Sequence, residues 1–345
     1  MKTYAEIIKL NCDSASPVSW WPKFAYHFTN LDNAISIVSS GILYSRNQAT
    51  SRELMENDNA SRQVINITSE DVQAKARFYF RPLTPTQYHN EGFKHKQLRY
   101  HGSNVPVPVF LVFDLEKLLS TPDVVFSETS KAGYGTKEMS GIHAFQSLDF
   151  KKIYSNGPHS DPEITSYRQA EILYHDMLPI DEYIRFILCR NHLERDTFIS
   201  LFRETYPARF QQFKSIIKVC PSDMFYKNGL YIEDILYNDN RISVEFSDNR
   251  NRFKYFNNPK NNPYNISLVD IEKVDIDIKF TWFIDSGDKI TEAQYHYGID
   301  YFNTAPITFT NVKQFCNASS LSMRVCFDEK IMAYTRHSLL ESELL

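Results

Sequence analysis

Residues 24–48 read FAYHFTNLDNAISIVSSGILYSRNQ. An aromatic run carrying His27 and Thr29 is followed at once by Leu31, Ala34, Ile35 and Val38, apolar residues at helical spacing. The stretch reads as strand, helix, strand. Asn30 stands where an N-cap belongs, Asp32 falls in the first turn, Gly41 stops the helix, and ILYS resumes as a short strand. His27 and Thr29 therefore occupy a strand-to-helix junction, with Tyr44 returning beside them. Junctions of this kind present backbone N–H groups to a ligand.

At 345 residues the chain exceeds the usual size of one domain, and 42% hydrophobic with 14% aromatic residues supplies ample core. A formal net charge of -4 argues against a protein that coats nucleic acid electrostatically, so any nucleic-acid contact has to be local. The five cysteines, Cys12, Cys189, Cys220, Cys316 and Cys326, show no CxxC pair and no zinc spacing; they read as reduced, mostly buried thiols, and no metal is expected. The amino terminus lacks a signal-peptide core, and no run approaches the roughly 20 apolar residues of a membrane span. The expectation is a cytoplasmic protein without membrane contact.

Farther along, ARFYFRPLTPTQY (residues 76–88) is an aromatic strand that Pro82 and Pro85 end or confine to an edge. HNEGFKHKQLRYHGSN then gathers basic residues and histidines in a loop before the buried strand VPVFLVFDL. SYRQAEILYHDMLPID fits helix or strand; either period puts Glu171 and His175 on one face. ERDTFISLFRETYPARFQQFKSIIKV reads as two helices broken at Pro207 that pack on the sheet. Past residue 230 the pattern changes. VDIDIKFTW alternates without a fault, and ISVEF and LSMRVCF repeat the alternation, as in half-buried antiparallel strands of a small sandwich-like domain.

Singly, the polar residues have ordinary readings: His27 a satisfied histidine, Glu171 an exposed carboxylate, Arg62 a solvated arginine. In their order they resemble the DarT family of ADP-ribosyltransferases, toxins that transfer ADP-ribose from NAD to nucleobases. AYHFTNLDNAISIVSSGIL is similar to the family's H-x-T strand and following helix, and RNQ to its asparagine-containing turn. RFYFRPLTPTQY resembles its FYF-x-P-x-S/T-P segment, RQAEILYHDMLP the segment holding the catalytic glutamate, and KVCPSDMFYKNGLYI its carboxy-terminal end. The resemblance runs over about residues 23–230.

The resemblance implies an α+β fold: a split ADP-ribosyltransferase sheet with helices over residues 1–230, followed by a β-rich accessory domain over 231–345. It implies that His27, Phe28 and Thr29, with Asn47, bind NAD, and that Tyr44, Tyr79 and Phe80 wall or stack on the nicotinamide. Arg62 corresponds to the catalytic arginine, which also contacts the dinucleotide; Arg52 and Arg77 are the alternatives. Glu171 corresponds to the catalytic glutamate: cleaving the nicotinamide–ribose bond builds positive charge on the sugar, and a carboxylate beside it stabilises that charge or takes the nucleophile's proton.

The expected polymer is single-stranded, since pairing hides a base edge, and it lies against Arg81, Lys94, Lys96, Arg99, Lys131 and Tyr134. DNA is favoured, with RNA close behind, because Arg81 before the proline and the long β-rich extension depart from the family. An antitoxin partner and a place in toxin–antitoxin or phage-defence systems are also implied. The competing readings are transfer to a protein, plain NAD hydrolysis, or a non-catalytic nucleic-acid-binding module.

Overall fold

A computed structural model describes residues 2–55, 65, 68–99, 102–131, 136–220, 224–238, 240–258, 262, 266–268, 271, 273–312 and 318–339. The opening unit forms as read: strand β1 (Phe24–Asn30), the helix Leu31–Ser40, and strand β2 (Ile42–Tyr44). Gly41 closes the helix at φ 74°, a left-handed conformation that favours glycine. Asn30 holds the N-cap position without a side-chain cap. Its Nδ2 donates to Asp32 Oδ2 at 3.1 Å and its Oδ1 accepts the Val107 N–H at 3.3 Å, tying the junction to the start of a neighbouring strand.

The remaining strands of this region are β3 (Lys75–Tyr79), β4 (Pro108–Asp114), β5 (Val124–Ser127), β6 (Glu171–His175), β7 (Met177–Pro179), β8 (Ile184–Cys189) and β9 (Ile217–Val219). Six of them join β1 in one seven-stranded sheet, in the order β5-β6-β3-β1-β4-β8-β9, and β2 pairs with β7. β1 runs along β4 over its whole length, from Phe24↔Asp114 to Asn30↔Pro108, but meets β3 at one register position, Tyr26↔Tyr79. The sheet therefore splits between β3 and β1. Pro82 lies beyond the end of β3, an interior strand, and Pro85 begins the helix Pro85–Asn90, where the missing N–H costs nothing and Thr84 caps. The ambiguous segment at Glu171 is a strand. One face of the sheet buries Tyr26, Phe110, Val112 and Leu188 with Met224 and Phe225.

The compact units are not consecutive. One comprises residues 1–91, 100–189 and 215–226; the other 92–99, 190–214 and 227–345, whereas the sequence suggested one cut at residue 230. The second unit holds the two expected helices, His192–Thr205 and Pro207–Phe213, separated at Pro207. Its strands are β10 (Ile232–Asn238), β11 (Arg241–Phe246), β12 (Val274–Phe283), β13 (Lys289–Ile299), β14 (Ile307–Thr310), β15 (Ser320–Phe327) and β16 (Lys330–Ser338). They make two antiparallel sheets, β10-β11-β14 and β13-β12-β15-β16. β12 buries Val274, Ile276, Ile278, Phe280 and Trp282, as the alternation requires, and the sheets meet where Phe280 stands edge-on to Phe309 at 4.9 Å. The helix His192–Thr205 packs on β16 and β10, where Thr197 Oγ1 accepts the Tyr334 N–H at 3.0 Å.

Candidate active site

Glu171 opens β6 directly opposite Tyr79 of β3, so their side chains share a face. Arg77, two residues earlier on β3, is a diagonal neighbour on that face. Its Nη2 donates to Glu171 Oε1 at 2.6 Å. Ser130 Oγ reaches the same oxygen at 3.3 Å, and the Lys131 N–H reaches Oε2 at 3.4 Å. The Glu171 side chain is 1% exposed. A carboxylate taken out of water needs a cation or several donors to offset its lost hydration, and Glu171 has both. Burial opposes the charge on Arg77, but Glu171 outweighs it and the guanidinium pKa is raised.

The other end of Arg77 meets His27. The Arg77 carbonyl oxygen lies 2.9 Å from His27 Nδ1. A carbonyl only accepts, so Nδ1 carries the proton and Nε2 is left as an acceptor. Burial holds the imidazole pKa below its usual value, partly offset by the bond to Arg77, which favours this neutral tautomer. The contact lies just past the single β1–β3 bridge, where the strands diverge. Thr29, buried, follows on β1, and Tyr79 is bonded to Thr86, its phenol pKa raised by burial and then by Glu171.

A second layer steadies the Ser130–Lys131 turn. Lys131 Nζ donates to the Thr136 carbonyl and lies 3.8 Å from Glu138, which also accepts from the buried Lys75 Nζ at 3.0 Å. Lys131, expected on nucleic acid, thus turns its ammonium inward and gives its backbone N–H to Glu171.

Tyr44, half-buried on β2, carries the Arg52 guanidinium 5.2 Å over its ring, and Asn47 is exposed in the first turn of the helix Arg46–Ser51. Arg62 and Tyr134 lie outside the described residues. Phe28 packs 5.3 Å from Phe110 on the Tyr26 core face, because successive strand residues alternate. Two expectations need correction on burial. Phe80, expected to wall the nicotinamide, is 0% exposed between Phe126 and Phe145, so its ring belongs to the core. Arg81, expected as a surface contact, is 1% exposed: Nε donates to the Pro82 carbonyl, Nη1 to those of Ile153 and Ser155, and the guanidinium stacks 4.9 Å from Trp21.

Lys94, Lys96 and Arg99 belong to the second unit. Lys94 is buried, which corrects its reading as a surface contact; Lys96 is exposed. Arg99 donates to the Lys94 carbonyl at 3.0 Å and lies 3.9 Å from Asp328. Among the described residues no group of three His, Cys, Asp or Glu could hold a metal, and no helix is long and apolar enough to cross a membrane.

Sequence reasoning named Arg77 as an alternative but missed its bond to Glu171, and it missed Ser130 and Lys75. The Arg77 contact depends on a register, Tyr79↔Glu171, between strands nearly a hundred residues apart. Ser130 lies in the glycine-bearing segment SETSKAGYGTKE. Its Ser and Lys spacing carries no signal of its own.

Residues 26–226 match the model of the family described as DarT, ssDNA thymidine ADP-ribosyltransferase. In structure the chain is similar to Thermus sp. 2.9 DarT in complex with ADP-ribosylated ssDNA, with 20% identity, 59% of this chain and 97% of that one covered, and a TM-score of 0.46. It is similar to the same protein in complex with NAD+, with 20% identity, 59% and 98% covered and a TM-score of 0.44. The corresponding figures for Thermosipho africanus DarTG in complex with ADP-ribose are 16%, 62%, 53% and 0.44. No curated protein matches the chain. With more than half of its length inside the family's pattern, the chain belongs to the DarT family of ssDNA thymidine ADP-ribosyltransferases.

Proposed function

We propose that this chain transfers ADP-ribose from NAD to a thymidine of single-stranded DNA, with Glu171 as the catalytic carboxylate. The observation that carries the reading is Arg77, which joins the His27 imidazole to the Glu171 carboxylate across the split of the sheet. NAD supplies an ADP-ribose whose bond to nicotinamide breaks with a neutral leaving group. His27 offers Nε2 as an acceptor to a hydroxyl or amide N–H of the nicotinamide riboside, and Thr29, Tyr44, Asn47 and Tyr79 complete that half of the site. Phe28 supports the strand from the core side.

Glu171 stabilises the positive charge that builds at the ribose anomeric carbon. Thymine has no exocyclic amine, so a ring nitrogen attacks and its proton must leave; Glu171 accepts it, and Arg62 orients the base. With Glu171 enclosed, the ribose reaches it when a donor yields. The long bonds from Ser130 and Lys131 are weaker than the bond from Arg77 and yield first.

Modification of the thymine pairing edge blocks templating, which makes the chain a toxin, for its own cell or for an invading phage, and calls for an antitoxin protein as partner. NAD and accessible DNA place the action in the cytoplasm. The chemistry is assigned to residues 1–230 and an accessory role to 231–345, with Lys96 and Arg99 as further strand contacts. The test is labelled NAD with matched oligonucleotides: thymidine-containing single-stranded DNA, the same DNA without thymidine, its duplex, and RNA. Label on the first alone is expected. Label on the RNA alone would overturn the DNA assignment, and none on any oligonucleotide from folded protein would sink the transferase reading.

A further inference from the structure

Two arginines next to the catalytic strands converge on one serine. Arg81 follows Tyr79 by two residues and Arg168 precedes Glu171 by three, so both leave the end of the β3–β6 pair that carries the site. Arg81 Nη1 donates to the Ser155 carbonyl, and Arg168 Nε donates to Ser155 Oγ at 3.2 Å. Arg168 Nη2 also donates to the Gly157 carbonyl at 2.8 Å. Every acceptor of the two is a neutral oxygen. Among the described residues no carboxylate pairs with either, and Arg81 Nη2 and Arg168 Nη1 take no acceptor. Glu91, close to Tyr226, is already bonded by Gln87 Nε2 and the Tyr226 N–H.

Buried or half-buried charges are ordinarily paired, because desolvation is otherwise uncompensated. Here two positive groups are instead held side by side, and burial, then the charge of Arg168, lowers the Arg81 pKa to about 9. Arg168 is likewise lowered by burial, offset in part by the Tyr226 phenol. Carbonyl oxygens from Pro82, Ile153, Ser155 and Gly157 fix both forks in place, so the unused N–H groups are preorganised. Arg81 is enclosed, and Arg168, half-exposed, is the side that a ligand meets.

We infer that Arg168, backed by Arg81 and positioned by Ser155, binds a phosphate group of a substrate, either the pyrophosphate of NAD or a backbone phosphate of the DNA strand. A guanidinium with free N–H groups matches phosphate oxygens, and the anion supplies the charge this pair lacks. The identity of the two sources rests on the transferase reading; the anion site itself does not.

The test uses the full chain with Glu171→Gln, which slows turnover so that binding can be read, with and without Arg168→Gln. NAD binding is read by calorimetry, and thymidine-containing ssDNA binding by fluorescence anisotropy over a range of KCl. Weakening of NAD about tenfold, with nicotinamide riboside unaffected, assigns the NAD pyrophosphate. Weakening of ssDNA, with the slope of log K against log[KCl] reduced by about 0.7, assigns a backbone phosphate. Arg168→Lys should recover part of either loss. Unchanged affinity for both ligands in folded protein overturns the proposal. Should Arg168→Gln not fold, the wild-type protein decides: inorganic pyrophosphate is expected to raise its melting temperature, and no rise at millimolar concentration overturns the site. Failure of wild-type transfer with pyrophosphate stabilisation intact would remove the transferase reading and leave the anion site standing.

Discussion

Arg77 Nη2 lies 2.6 Å from Glu171 Oε1, pairing a partly exposed guanidinium with a carboxylate that is almost wholly enclosed. The pair is therefore asymmetric. Removing the arginine strands a buried charge, whereas removing the glutamate releases an arginine that can reach water. Arg77→Ala is expected to lower unfolding stability by about 3 kcal/mol in denaturant melts, and Arg77→Lys to recover only part, since an ammonium lacks the fork geometry. Glu171→Gln keeps shape and should fold, bind NAD with unchanged affinity, and lose about 10³-fold in transfer rate. Retention of wild-type turnover by Glu171→Gln would move the catalytic role elsewhere, with Glu163 the next carboxylate to test.

His27 gives the site a pH limit on the acid side. Its folded pKa lies below the ordinary 6.5 because burial disfavours the charged ring. Between that lower value and 6.5 the unfolded chain binds more protons than the folded one, so stability falls as pH falls through this window. NAD affinity should hold at pH 6.5 and decline on further acidification, as Nε2 takes a proton and ceases to accept. Calorimetric titrations from pH 7.5 to 5 check this. His27→Gln should bind NAD more weakly and lose the acidic limb.

Phe80 separates packing from binding. With its ring enclosed by Phe126 and Phe145, Phe80→Ala should cost about 3–5 kcal/mol of stability through the cavity it leaves. In the fraction that remains folded, NAD affinity should be unchanged. A selective loss of NAD affinity at full stability would return the ring to the binding site.

Gly92 stands at φ 81°, and a Cβ there would lie 1.7 Å from the Asn228 carbonyl oxygen. Backbone has no side-chain end to swing aside. Gly92→Ala should therefore separate the Phe93–Leu230 bridge and destabilise the second unit, seen as a lower melting temperature and early hydrogen exchange around Phe93 and Leu230.

A chain ended at residue 230 lacks β10 and β16, on which the helix His192–Thr205 packs. That helix buries Leu193, Phe198 and Phe202. The fragment 1–230 is expected to be insoluble or to melt well below the full chain, by circular dichroism, and addition of residues 231–345 in the same chain restores it.

The local pattern alone determined the strand–helix–strand opening, the stop at Gly41, the helix break at Pro207 and the unbroken alternation of β12, because each depends on residues a few positions apart whose periodicity is written in the chain. The order of the His27, Phe78–Phe80 and Glu171 segments was enough to point to the chemistry. Tertiary structure decided the rest. Arg77 became the partner of Glu171 through a strand register, and Ser130 and Lys131 through a turn that returns over β6. Arg81 and Lys94, read as surface cations from their charge, are buried, since a side chain's exposure depends on segments that pack on it from distant parts of the chain. The grouping of residues 92–99 and 190–214 with the carboxy-terminal sheets follows from the same cause: which apolar faces meet is settled by the folded topology, and no local window carries it.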